Sequence, residues 1–197
     1  MTTKHLTPAF RIQKARTALL LDHPSFGSLL FRLDGRASDS IQTMATDGIS
    51  LFYKPDFVET LNAAELAGVL AHEVMHPALQ HHTRRGDRDR KRRNMACDYA
   101  ISPLLLVAGL MLPKDVLIDH RFRGMSAERI YNLIEEQQDQ DGSNGEGEDQ
   151  VVLLPTDRSE NMQTIRVEMV SLLLRQPRAA LARCLTLLSP KETMVPR

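Results

Sequence analysis

His72-Glu73-Val74-Met75-His76 constrains this chain more than any other five residues in it. The pentapeptide lies inside an apolar, helix-like stretch. On a helix, positions i and i+4 stand one above the other on the same face. Both imidazoles therefore point the same way and can grip one metal ion. Glu73, one residue after the first histidine, leans toward the same side. Two imidazoles and a neighbouring carboxylate at this spacing bind zinc and set a base beside the water it activates. Two incidental histidines near a glutamate are the plainer alternative. A catalytic zinc site needs a third protein ligand and keeps its fourth position open, so the fold must bring another element across this helix face.

The best candidate for that third ligand is Asp98. Between Asn94 and Leu112 the chain is almost wholly apolar except at Asn94, Asp98 and Ser102, which are spaced i, i+4, i+8 and form one polar stripe on a helix otherwise fit for burial. A carboxylate in such a helix is costly unless it is paired or bound to a metal. Asp98 follows His76 by 22 residues, enough chain to turn and lay a second helix across the first. A salt bridge from Asp98 to a nearby arginine is the competing reading. Asn94 and Ser102 are candidates to hydrogen-bond the ligands from behind. Tyr99 joins them as a nearby polar group and, with Tyr53 and His120, as a candidate to stabilise an oxyanion. His81 lies off the ligand face of a continued helix, whereas His82 grazes it; both suit a helix C-terminus, where the dipole favours a cation. Pro77 lacks an N–H and clashes with the preceding turn, so the helix is expected to bend just past the ligands.

The remaining pattern predicts an α+β fold. Residues 8–21 read as a helix that His23-Pro24 stops. Residues 28–33, 42–46 and 49–53 read as three strands of a small, mainly antiparallel sheet, with Asp47-Gly48 as a tight turn between the last two. Asn62-Ala63-Ala64-Glu65 resembles a capping box and opens the motif helix, which should run to about His82. A second helix starts near Arg90, and a third opens at Met125-Ser126, with Ile130, Leu133 and Ile134 on its apolar side. Residues 84–93 hold seven basic residues and two aspartates, which suits a solvated loop between helices. Residues 135–150 carry seven acidic residues and three glycines with no Lys or Arg, the composition of a flexible linker. The chain thus divides into a domain over residues 1–134, an acidic linker over 135–150 and a helical segment over 151–197.

Composition narrows the function classes. The formal net charge is zero, tryptophan is absent and aromatics are 5%, which argues against a nucleic-acid partner. No run approaches the 18 uncharged apolar residues of a membrane span, and the N-terminus has no signal-peptide core. The two cysteines, Cys97 and Cys184, form no C-x-x-C pair. A cytoplasmic protein is expected.

These residues also carry a family resemblance. His72-Glu-Val-Met-His76, His81-His82, Arg93-Asn-Met-Ala-Cys-Asp98-Tyr-Ala-Ile-Ser-Pro-Leu-Leu and Phe122-Arg-Gly-Met-Ser-Ala-Glu128-Arg-Ile-Tyr131 together resemble the putative metallopeptidase domain of bacterial and phage proteins that carry a von Willebrand A-like C-terminal region. Thr46-Asp47-Gly48 followed by a strand fits the same pattern. The resemblance covers about residues 8–136. It implies a zincin-like fold, His72, His76 and Asp98 as Zn2+ ligands, Glu73 as catalytic base, a peptide or protein substrate, and a MoxR-type AAA ATPase as partner. The family commonly has Asn where Ser102 stands. The 47 residues after Gln150 are too few for a von Willebrand A domain, so a truncated C-terminus is expected. The leading expectation is a zinc-dependent peptidase-like hydrolase. The alternatives are a non-catalytic, metal-stabilised module that docks on the ATPase and an inactive remnant of a longer protein.

Overall fold

The computed structural model describes residues 6–141. Its elements run α1 (Pro8–Asp22), α2 (Pro24–Leu30), β1 (Asp34–Ala37), β2 (Met44–Thr46), β3 (Ser50–Tyr53), α3 (Pro55–Thr60), α4 (Ala63–Ala78), α5 (Arg90–Val107), a 3₁₀ turn at His120–Phe122 and α6 (Ala127–Asp141). This is an α+β arrangement with one three-stranded sheet of order β1-β3-β2. The sheet is mixed, because β1 runs parallel to β3 and β2 antiparallel to it. The mainly antiparallel sheet expected from the sequence is therefore corrected.

The correction has a local cause. Residues 28–33, expected as a strand, belong largely to α2 and the turn after it. Pro24 sits in the first turn of α2, where its fixed φ favours a helix start and its missing N–H costs nothing. A short apolar run such as Ser28-Leu29-Leu30 does not distinguish strand from helix by periodicity alone. The strand lies just beyond, at Asp34-Gly35-Arg36-Ala37, and all four residues are exposed. Its ladder to β3, not burial, holds it in place. The Asp47-Gly48 turn does join β2 to β3. Asp47 Oδ1 accepts the N–H groups of Ile49 and Ser50 at 2.8 and 2.6 Å, and Gly48 takes a φ of 84° that other residues rarely adopt.

The motif helix α4 is the centre of the packing. Asn62 caps it by accepting the N–H groups of Ala64 and Glu65, both at 2.9 Å, while Glu65 Oε2 returns to the Asn62 N–H at 2.9 Å. Leu66, Leu70, Ala71 and Val74 are all at most 1% exposed and pack in a core shared with α1, α2, the sheet and α5. At Gly68 the backbone of Met111 lies against the helix, and a Cβ there would overlap the Met111 carbonyl oxygen. Gly68→Ala should therefore push residues 111–113 away and cost about 1–3 kcal/mol, the usual penalty of overpacking. Urea unfolding measures this; an unchanged midpoint would show that the contact is not made.

Helix α4 ends at Ala78, four residues before the expected His82. Pro77 stands in its last turn, and Gln80 reverses the chain with a φ of 56°. The Gln80 N–H bonds to the Pro77 carbonyl at 2.9 Å and the His81 N–H to the His76 carbonyl at 3.0 Å. Those two bonds constitute a Schellman stop. In place of the expected bend within a longer helix, the helix terminates beside Pro77 and the chain folds back.

Helix α5 begins at Arg90, where Asp89 Oδ1 caps the Arg92 N–H at 2.8 Å. It has two packed faces. Ile101 and Leu105 join the main core, while Ala96 joins Phe122, Ile130, Tyr131 and Ile134 in a second cluster beneath α6. The basic stretch at residues 84–93 is not wholly solvated, as the sequence suggested. Arg93 is 1% exposed and pairs with Glu128 at 3.0 Å, and Arg84 reaches the other oxygen of the same carboxylate at 3.0 Å. Among the described residues, no helix is long and apolar enough to cross a membrane. The part of the acidic stretch after Asp141 and all of residues 151–197 lie outside the described residues.

Candidate metal centre

His72 and His76 lie one turn apart on α4, and Asp98 comes from α5, which packs across that face. Three atoms converge. His72 Nε2 is 3.1 Å from Asp98 Oδ1, His76 Nε2 is 3.1 Å from His72 Nε2, and His76 Nε2 is 3.4 Å from Asp98 Oδ1. Ligand atoms at zinc distances of roughly 2.0–2.2 Å and tetrahedral angles stand about 3.3 Å apart from one another. The three separations fit one small ion with a fourth position to spare. The set is two imidazole nitrogens and one carboxylate oxygen, all buried.

The electrostatics follow from that burial. Burial opposes charge on His72, but the hydrogen bond and charge of Asp98, together with the charge of Glu73, outweigh it and raise the His72 pKa. Burial also lowers the pKa of His76, and its hydrogen bond to the Asp98 carboxylate only partly offsets this. Asp98 itself is held below the usual carboxylate range: burial works against its charge, but its hydrogen bonds with His72 and His76 prevail. His72 and Asp98 are in buried hydrogen-bond contact, so wherever His72 carries a second proton a cation entering the site has to displace it.

Glu73 lies beside this group and is 1% exposed. Its Oε2 has no protein hydrogen-bond partner, and burial pushes its pKa up to about 7 despite the opposing charge of His72. Glu73, His72 and Asp98 form part of the wall of a cleft of about 860 Å³. Its other walls include Thr43 and Met44 at the start of β2, Phe57 of α3, and the segment from Leu112 to Leu117.

The other residues singled out in the sequence occupy different places. Asn94 lines the cleft on the same face of α5 as Asp98. The Ser102 hydroxyl donates to the backbone carbonyl of Asp98 at 2.9 Å, a bond along its own helix, not one to the carboxylate. Tyr99 packs edge-on against Phe122, with ring centroids 5.0 Å apart, on the α6 side of α5. Tyr53 is buried in the main core, and His120 is exposed at the 3₁₀ turn. None of those three is among the cleft-lining residues.

His81 and His82, expected to favour a helix C-terminus as cations, stand past the end of α4, and His81 is buried behind the centre. His81 is 3% exposed, and its Nδ1 lies 3.3 Å from His76 Nδ1. Cys97 is also buried there, its thiol pushed up to about 12 by burial. His82 is lowered to about 4, again chiefly by burial. The signal for His81 was the C-terminal stop of α4, which needed Gln80 to be read as a left-handed residue.

A family model described as "putative metallopeptidase domain" matches residues 7–169. No curated protein and no solved structure matches the chain. The match spans most of the sequence, and the chain belongs to that family.

Proposed function

We propose that this member of the metallopeptidase-domain family is a zinc-dependent peptidase in which His72, His76 and Asp98 hold the ion and Glu73 is the general base. One observation carries the reading: three ligand atoms at tetrahedral spacing stand beside a buried carboxylate with one oxygen unpartnered, on the wall of an open cleft. Family membership makes a peptide or protein the substrate. The donor set also fits. Imidazole nitrogens and a carboxylate oxygen are ordinary zinc donors, and a three-ligand set is that of a catalytic, not a closed structural, site.

When bound, the ion would supply Lewis acidity, polarising a carbonyl and making water acidic near neutral pH. The rest falls to the chain. Glu73 holds a carboxylate whose pKa of about 7 suits it to take a proton from the attacking water and return it to the leaving amine. Asp98 brings the negative charge that two neutral imidazoles lack. The cleft restricts water and orients the peptide. In the sheet order β1-β3-β2, β3 is paired on both sides, whereas β2 is an edge strand whose Met44 lines the cleft. Of β2 and β3, β2 alone retains a free edge, along which an extended peptide can add as a further strand.

Zinc-loaded protein should cleave peptides from an unbiased fluorogenic library. The activity should vanish with a chelator and return with added zinc. Cleavage that persists in excess chelator would contradict a metal-dependent mechanism.

A further inference from the structure

We propose that His81 is a positioning residue for the metal centre: its Nδ1 accepts a hydrogen bond from the Nδ1–H of His76 and holds that ring with Nε2 turned toward His72 and Asp98. The inference rests on the proposed zinc centre and concerns a residue outside its ligand set.

The geometry comes from the end of α4. In a Schellman stop the second residue beyond the cap folds back over the last turn and touches the residue whose carbonyl it bonds. Here those residues are His81 and His76. The backbone bond between them is 3.0 Å, their rings meet edge to face with centroids 5.4 Å apart, and their Nδ1 atoms are 3.3 Å apart. An uninterrupted helix would carry His81 to a different face. The chain reversal at Gln80 is what brings it behind the ligand.

The proton count then fixes the roles. An imidazole that presents Nε2 as a lone pair to a cation carries its hydrogen on Nδ1. The His76 ring is fully buried, so that N–H needs a protein acceptor. His81 Nδ1 stands where the acceptor must be, and two facing nitrogens make a hydrogen bond only when one of them carries the hydrogen. His81 must therefore hold its own hydrogen on Nε2. His81 is itself buried, at 3% exposed. A carboxylate or carbonyl usually takes this position behind a metal-binding histidine and strengthens it as a ligand. A neutral imidazole does the same orienting work without adding a second buried negative charge to that of Asp98.

The same three side chains, His76, His81 and Cys97, are close enough to suggest a second ion. One fact argues for the hydrogen bond instead: the buried Arg93 guanidinium acts electrostatically on both Cys97 and His81. A second cation would meet an existing one.

The test measures zinc affinity by chelator competition in the parent, His81→Leu and His81→Asn, with ring ¹⁵N spectra of the zinc-loaded parent. The Asn side-chain oxygen can stand near the place of Nδ1 and accept the same hydrogen. The parent should bind one zinc, His81→Leu should bind about 10–100-fold more weakly, and His81→Asn should bind close to the parent. The spectra should show His76 protonated at Nδ1 and His81 at Nε2, a readout that survives even if the Leu variant fails to fold. Equal affinity in parent and His81→Leu, or a hydrogen on His81 Nδ1, would overturn this role alone. Two zinc ions per chain, one of them lost in Cys97→Ser, would replace it with a second metal site. A parent that binds no zinc would overturn the metal centre itself, and this role with it.

Discussion

Glu73→Gln should lower turnover by about 10²–10⁴-fold, the usual contribution of a positioned general base, while the protein keeps its full complement of zinc. The side chains are nearly the same size, and Glu73 is not one of the three converging ligands. The variant therefore changes proton transfer and little else. An independent signature is available in the metal-free protein. The folded-state pKa of Glu73 is raised from its ordinary value of 4.5 to about 7, so the fold prefers this group protonated. Its contribution to stability is present below about 4.5 and is lost as pH rises through about 7. At pH 5.5 the parent already holds a neutral carboxyl resembling an amide; at pH 8 it must bury a carboxylate. The gain in Tm from Glu73→Gln should therefore be small at pH 5.5 and larger at pH 8. Wild-type turnover in the variant would remove Glu73 from the chemistry, and a Tm difference that shrinks as pH rises would contradict its buried environment.

Asp98→Ala should reduce zinc from one ion per chain to a small fraction after dialysis against micromolar metal. Without Asp98 the site is left with two neutral imidazoles and no compensating charge, a poor home for a divalent cation. Asp98→Asn separates charge from shape and should lose most of the affinity as well. The metal-free protein reports the same carboxylate differently. Asp98 raises the pKa of His72 above 6.5, so the pair adds stability that is full below about 6.5 and is lost as pH climbs through the raised value. The melting penalty of Asp98→Asn should accordingly be greater at pH 6 than at pH 8.5. Undiminished zinc in Asp98→Ala would move the third ligand to another residue.

The convergence of His72, His76 and Asp98 was legible because each residue carries its own local signal. One helix repeat aligns His72 with His76, and a lone aspartate in an apolar helix must find a partner, which proved to be the two imidazoles. What was illegible depended on contacts distant in sequence or on a single backbone angle. Residues 28–33 satisfy a strand pattern and a helix pattern alike, and Pro24 together with the close approach of Gly27 to Leu20 settles them as α2. Strand β1 is exposed and has no apolar alternation to betray it. Arg93 looked like one cation in a solvated run, yet Glu128, 35 residues away, draws it into the interior. The cleft wall at residues 112–117 has no motif at all, and it is placed by the bare backbone at Gly68.

The most direct measurement is anomalous diffraction at the zinc edge from crystals of the metal-loaded protein. The account predicts one peak, roughly 2.0–2.2 Å from His72 Nε2, His76 Nε2 and an Asp98 oxygen, open toward the cleft and with Glu73 near but not bound. A peak held by His81 and Cys97, or one closed off by a fourth protein ligand, would contradict it.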